Sequence, residues 1–173
     1  MKNIVLIGLL AVSFGWVNAQ KAPEAVKTEF DSLSLSQTIL DLEGNETTVK
    51  EIFENHKGKV ILLDIWASWC ADCIKGLPEL KAIQKQYPDL VYLFFSLDRI
   101  GKEEIWKSTI KKFEMEGEHY WFNTEWKNDF TNFLELNWIP RYLLIDQDGN
   151  IAHYYAVHAN DKEMIATLKK LVE

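Results

Sequence analysis

The sequence predicts an α/β chain: a mixed sheet flanked by helices, with a hairpin ahead of it and an insertion in its middle. Three observations carry this. Two near-continuous apolar runs, 59–66 and 90–97, read as buried strands, and each leads into a stretch of helical spacing. Near the C-terminus two further apolar segments flank Asp146-Gln147-Asp148-Gly149-Asn150 and precede a last amphipathic helix. The only two cysteines, Cys70 and Cys73, stand between the first buried strand and the first long helix.

Taken in order, residues 1–19 have the pattern of a signal peptide. Lys2 is the positive start, Ile4 to Val17 is apolar, and Val17-Asn18-Ala19 ends in a small residue suited to cleavage before Gln20. The stretch is short for a membrane span, although it could serve as an uncleaved anchor. No cysteine follows it, which excludes a lipid-modified N-terminal cysteine. Residues 20–32 are polar and irregular and are expected to be a tether. Leu33 to Leu42 and Thr47-Thr48-Val49 flank a turn at Glu43-Gly44-Asn45-Glu46, so a hairpin is expected. Thr48 to Asn55 reads as a short helix that ends before Gly58. The strand Lys59–Trp66 follows, then a helix with Leu77, Leu80, Ile83 and Tyr87 on one face. Pro88-Asp89 ends it. Leu90–Leu97 is the second buried strand, expected to run parallel to the first across a βα crossover. Lys102–Phe113 carries Ile105, Trp106, Ile110 and Phe113 at helical spacing. Residues 114–137 are expected to hold a short strand near Tyr120–Phe122 and a helix from about Glu125 to Leu136. Tyr142–Ile145 and Ile151–Val157 form the last hairpin, and Asp161 begins the last helix, with Met164, Ile165, Leu168 and Leu171 on one face.

The bulk numbers suit one globular domain: 173 residues, 47% hydrophobic and 26% charged. The net charge of −7, without a basic run, argues against nucleic acid as a partner. The cysteines carry the chemistry. At the start of a helix, unpaired N–H groups and a partial positive charge stabilise a thiolate, the form that attacks disulfides. A structural zinc site would need two further ligands at close spacing. None remains: there is no other Cys, and His56, His119, His153 and His158 show no H-x-x-x-H pairing. A purely structural disulfide would close a very short loop, where the gain in chain entropy is smallest. In an exported chain, a single tight pair at an element junction suits catalysis better than scaffolding.

The element order with Trp69-Cys70-Ala71-Asp72-Cys73 after the first buried strand resembles the thioredoxin fold, and more narrowly the exported TlpA/ResA-like thiol-disulfide oxidoreductases. The resemblance covers roughly residues 33–172. It rests on Gly58-Lys59 before a strand ending in Trp66-Ala67-Ser68-Trp69-Cys70, on Cys73, on Pro78 in the following helix, on Ile139-Pro140 before a strand, and on Ile145-Asp146-x-Asp148-Gly149-Asn150 as a hairpin turn. The N-terminal hairpin and the insertion around 99–136 suit the same subfamily. The resemblance implies a thioredoxin-like domain over 33–173.

The resemblance also implies roles. Cys70 is the attacking cysteine and Cys73 the resolving one. Pro140 is the proline whose bond to Ile139 is cis and which lies against the disulfide, so that the backbone of Ile139 can pair with an incoming extended chain. Asp64 matches the buried acid that relays the proton of the resolving thiol. Burial should raise its pKa toward neutrality. The lysine that partners this acid in cytosolic thioredoxin has no equivalent in Tyr92-Leu93-Phe94-Phe95. Asp72 departs from the pattern, since most relatives have Pro there. Its charge favours the helix start but opposes the Cys70 thiolate. Trp69, Ala71, Asp72, Trp138 and Ile139 are expected to contact substrate, and Trp66 to lie beside the disulfide. Trp106, Trp121 and Trp126 are expected in packing under the insertion, and His153 and His158 at a surface or edge.

The function expected is a periplasmic oxidoreductase that reduces protein disulfides, acting as a monomer with no metal or organic cofactor. Electrons would come from a membrane thiol transporter. A disulfide oxidase or isomerase is an alternative, and Asp72 argues against it. A copper-handling protein is a non-enzymatic alternative, because soft thiolates suit Cu(I). Peroxidase chemistry is disfavoured: the thiol-peroxidase pattern places Thr or Ser three residues before the cysteine, where this chain has Ala67.

Overall fold

The computed structural model describes residues 22, 23 and 25–173. The expected signal peptide, 1–19, lies outside the described residues. A seven-stranded mixed sheet organises the chain, in the order β2-β1-β5-β4-β3-β6-β7.

The N-terminal part begins with a short helix, α1 (Ser32–Ser36), where a strand was expected. The reason is local. The Asp31 carboxylate accepts from Ser34 N–H at 2.7 Å and caps a helix before the strand can start. The hairpin then forms in the expected place, from β1 (Thr38–Leu40) and β2 (Glu46–Thr48). Its turn is held by the Asp41 carboxylate, which accepts from the N–H groups of Glu43 and Asn45 at 2.9 and 2.8 Å. Helix α2 (Val49–Asn55) starts with a capping box between Thr48 and Glu51.

The centre of the sheet is β3 (Ile61–Trp66) paired parallel to β4 (Val91–Ser96), with α3 (Ala71–Gln86) as the crossover. Every residue of β3, β4 and β6 (Arg141–Ile145) is buried, which is why these strands are mostly apolar rather than alternating, with Asp64 and Arg141 as the buried charged residues among them. Strand β6 is antiparallel to β3, and β7 (Ile151–Ala156) is antiparallel to β6. Helix α6 (Lys162–Val172) starts at the Asp161 cap and buries Met164 and Leu168.

The insertion supplies α4 (Glu103–Lys112), β5 (Glu118–Trp121) and α5 (Asp129–Phe133). Strand β5 joins the sheet parallel to β4. Helix α5 is shorter than the expected 125–136. Glu125 (φ 58°) and Glu135 (φ 50°) adopt left-handed backbone at either side, and Asn128 caps a new start through Thr131 N–H at 2.9 Å. Phe30 ties the N-terminal segment to this insertion. Its ring lies 5.1 Å from that of Phe53, 5.7 Å from Phe130 and 5.5 Å from Phe133. Within the expected tether, Lys27 reaches the Phe133 carbonyl, and the Thr28 carbonyl accepts from Ile151 N–H at 2.8 Å. Residues 27–31 therefore lie against the domain.

Candidate active site at the start of the long helix

Cys70 is the N-cap of α3, and its sulfur accepts from Cys73 N–H at 3.1 Å. The two cysteines are joined by a disulfide, with sulfurs 2.09 Å apart. Both are nearly covered, Cys70 at 6% exposure and Cys73 at 2%. Cys70 lines a surface cleft. The helix start therefore holds the more accessible sulfur where backbone N–H groups can stabilise its thiolate after reduction.

The loop before β6 faces this sulfur. The Ile139–Pro140 bond is cis, and the Ile139 carbonyl oxygen lies 3.6 Å from Cys70 Sγ. In the reduced state the Cys70 thiol can donate to that oxygen. The loop before α3 is fixed by an acid. Asp98, buried just past the end of β4, accepts from Ser68 N–H at 2.9 Å, from the Ser68 hydroxyl, and from the Ser96 hydroxyl at 2.7 Å. Its own carbonyl accepts from the Trp121 indole N–H at 2.8 Å. Ser68 stands two residues before Cys70, so Asp98 sets the approach of the chain to the helix start.

Asp64 lies in the middle of β3, directly opposite Tyr142 on β6, so both side chains share one face of the sheet. That face is covered by α3, because a Cβ on Gly76 would stand 3.2 Å from the Tyr142 hydroxyl. Asp64 Oδ1 and the Tyr142 hydroxyl are both buried without a hydrogen-bond partner among the described residues. Desolvation holds the Asp64 carboxyl well above its ordinary value of 3.8. Desolvation likewise raises the Tyr142 hydroxyl, with smaller contributions from Asp64 and Glu79. Tyr142 also lines a cleft of about 210 Å³ with Gly76, Glu79, Pro140 and His158.

These features are a disulfide at a strand-to-helix junction, a buried acid in the strand that leads to it, a cis-proline loop against its first sulfur, and parallel central strands. The thioredoxin-like family model matches residues 58–151. The chain belongs to the thioredoxin-like family. Within it the relatives are thiol-disulfide oxidoreductases of the ResA and DsbE type. The chain is 22% identical over 133 residues to the thiol-disulfide oxidoreductase ResA of Bacillus cereus, covering 77% of this chain and 73% of that protein. It is 24% identical over 138 residues to the thiol:disulfide interchange protein DsbE of Haemophilus influenzae, covering 80% and 72%. A crystal structure from Bacteroides vulgatus, assigned as a thiol-disulfide oxidoreductase, superposes with a TM-score of 0.61 at 30% identity, over 78% of this chain and 90% of that one.

The expected site residues of this thioredoxin-like chain fall into two groups. Cys70, Trp69, Ala71, Asp72, Trp138 and Ile139 all line one cleft, and Cys73 is bonded to it through the disulfide. Asp64 is beneath the surface, while Pro140 lines the neighbouring cleft. Asp72 is exposed in the first turn of α3 and pairs with Lys75 at 3.5 Å. Trp66, Trp106 and Trp121 are core residues. Trp126 is different. It packs against the core as expected, and in addition it lines the Cys70 cleft, with its ring 6.5 Å from that of Trp69. Asp98 was not anticipated. The only signal for it was an Asp just beyond an apolar strand that neighbours β3, which becomes informative once the two strands are known to end side by side.

Proposed function

We propose that the chain is an exported oxidoreductase that reduces protein disulfides in the periplasm through Cys70 and Cys73. The observation that carries this is the disulfide at the start of α3, with Cys70 lining a cleft and Cys73 covered. The Cys70 thiolate attacks one sulfur of a substrate disulfide. A bond forms between the two sulfurs, the substrate bond breaks, and the displaced thiolate takes a proton from water. Cys73 then gives its proton to the Asp64 carboxylate and attacks Cys70 Sγ. The Cys70–Cys73 bond closes, and the second substrate thiolate leaves and takes up the proton held by Asp64, which returns to the carboxylate. The substrate gains two electrons and two protons, and the chain is left as the disulfide.

Several features support the finer parts of this reading. A carboxyl with a raised pKa suits proton transfer near neutral pH. The Ile139 backbone beside Cys70 offers a strand-like edge to an extended substrate, with Pro140 holding the loop. Asp72 opposes thiolate formation at Cys70, which favours a reductant over an oxidase. The apolar stretch Ile4–Val17 supports export, with the electrons supplied by a membrane thiol donor. Residues 20–32 would link the N-terminal segment to a monomeric domain over 33–173. No helix of the described residues is long and apolar enough to cross a membrane.

The test is a trap. Cys73→Ser should accumulate mixed disulfides with substrate proteins through Cys70. Accumulation through Cys73 in a Cys70→Ser variant would reverse the assignment. The potential of the pair decides direction: a value near thioredoxin's ~−270 mV supports a reductant, and one near ~−120 mV an oxidase.

A further inference from the structure

The cleft beside Cys70 is lined mainly by aromatic and aliphatic side chains. Its walls include three indoles, from the α3 loop (Trp69), the insertion (Trp126) and the loop before β6 (Trp138). Trp69 is 56% exposed and Trp138 38%. A soluble domain rarely leaves large apolar side chains together in water unless they serve binding.

Trp126 is held in place from behind. Its indole N–H donates to the Leu136 carbonyl at 3.3 Å, and its own carbonyl accepts from the Thr131 hydroxyl at 2.6 Å. Its polar edge is therefore satisfied within the insertion, while its ring is turned toward Trp69. The cleft measures about 210 Å³. An apolar cavity of ~150 Å³ already accepts benzene, so the space suits one large side chain and little more. The only charged residue lining it is Asp72. The neighbouring cleft beyond Pro140 differs, with Asp72, Lys75, Glu79 and His158 on its walls.

The geometry points to a specificity pocket. Trp126, with Trp69 and Trp138, takes one aromatic or large aliphatic side chain next to the substrate's disulfide cysteine, in a segment free of acidic neighbours. This rests on the oxidoreductase reading above and names its substrate class: extended polypeptide in which a cysteine adjoins an apolar residue. In a folded protein such residues are mostly buried, so the pocket selects unfolded or partly folded chains. The acid at the rim adds a sign, since Asp72 attracts a flanking Lys or Arg and repels Asp or Glu. Trp126 belongs to the insertion, so the selectivity comes from a segment outside the redox centre.

The experiment uses the reduced protein and symmetric peptide disulfides of the form (acetyl-Gly-Xaa-Cys-Gly-amide)₂, with a second set carrying Xaa after the cysteine. Xaa is Phe, Gly or Glu. Each rate of peptide-thiol release is divided by the rate with dithiothreitol, which removes the intrinsic reactivity of each disulfide. In one of the two sets, Phe should exceed Gly by about tenfold, equivalent to ~1.4 kcal/mol, and Glu should fall below Gly. Trp126→Ala should bring the Phe to Gly ratio toward one, and Trp126→Phe should restore most of it. Equal normalised rates for Phe and Gly with the wild-type protein in both sets would overturn the inference while leaving the oxidoreductase reading intact. Failure to reduce any of the peptides would instead strike at that reading. A sedimentation coefficient that rises with concentration, and stops rising in Trp126→Ala, would show the cleft occupied by a second copy and would also overturn the proposal.

Discussion

Replacing Asp64 with Asn isolates the energetic effect of burying an acid under α3. The carboxyl has no hydrogen-bond partner at Oδ1 among the described residues, and desolvation holds its pKa well above the ordinary 3.8. The folded chain therefore keeps the proton to higher pH than the unfolded chain does. The stability linked to that proton is full below about pH 4. It is lost as pH rises through the folded-state midpoint, because the unfolded chain ionises freely and the folded one must bury a charge. Asn keeps the shape and cannot ionise. The stability of the Asn variant minus that of the wild type should be flat near pH 4. It should then grow with pH at up to about 1.4 kcal/mol per pH unit, and level off above the midpoint. Urea unfolding of the oxidised proteins, at fixed ionic strength from pH 4 to pH 9, measures this directly. A difference that stays constant across that range, or that favours the wild type increasingly as pH rises, would refute the reasoning. It would mean that the folded chain stabilises the carboxylate through a partner. In the same variant, release of substrate from the mixed disulfide should slow, because Cys73 loses its proton acceptor.

Asp98→Ala should destabilise the chain by about 3 kcal/mol in thermal or urea unfolding, since it strips three hydrogen bonds from Ser68 and Ser96 at a buried carboxylate. Asp98→Asn should cost only about 1 kcal/mol, because its carbonyl can still accept from Ser68 N–H and its amide can donate to the Ser68 hydroxyl; equal losses in the two variants would show that the contacts are incidental. Asp72→Asn should lower the Cys70 thiol pKa and raise the potential of the pair, read by thiolate absorbance and by equilibrium with glutathione. The effect should be small and should shrink in high salt, because Asp72 is exposed and already faces Lys75 at 3.5 Å.

Much of this architecture was legible because burial and period agree. The strands β3 and β4 are covered on both faces, so they are written as near-continuous apolar runs interrupted only by Asp64 and Ser96, and the sequence placed both within a residue or two. The redox centre was legible for a different reason: two cysteines at one strand-to-helix junction admit few alternatives. The misreadings come from short polar side chains acting locally. Asp31 turned the start of an expected strand into α1, and Asn128 with two left-handed glutamates cut α5 down to Asp129–Phe133. Hydropathy periodicity does not see such caps. Trp126 and Asp98 were missed because their roles depend on contacts with residues far away in the chain. An apolar residue in an aromatic-rich insertion reads as core, and only the meeting of three loops makes Trp126 a wall of the cleft.

The disulfide lies between two unlike surroundings, and this divides the labour of the site. On the Cys70 side the walls are indoles and the Ile139 backbone, with one acid at the rim. On the other side of Pro140 the walls carry Asp72, Lys75, Glu79 and His158 with Tyr142, and opposite Tyr142 in the sheet Asp64 Oδ1 is buried without a hydrogen-bond partner among the described residues. An apolar wall suits the approach of a polypeptide but cannot accept a proton. A buried acid can accept one, yet it would repel no wrong substrate. If binding and proton transfer are separated in this way, changes on the two sides should affect different observables. A change at Trp126 should alter the ratio of rates between peptides and leave the pH at which mixed disulfides resolve where it was. A change at Asp64 should move that pH and leave the ratio alone. Measuring both quantities in both variants tests the division itself, because a ratio that responds to Asp64 would mean that the substrate senses the buried acid through the Cys70–Cys73 pair.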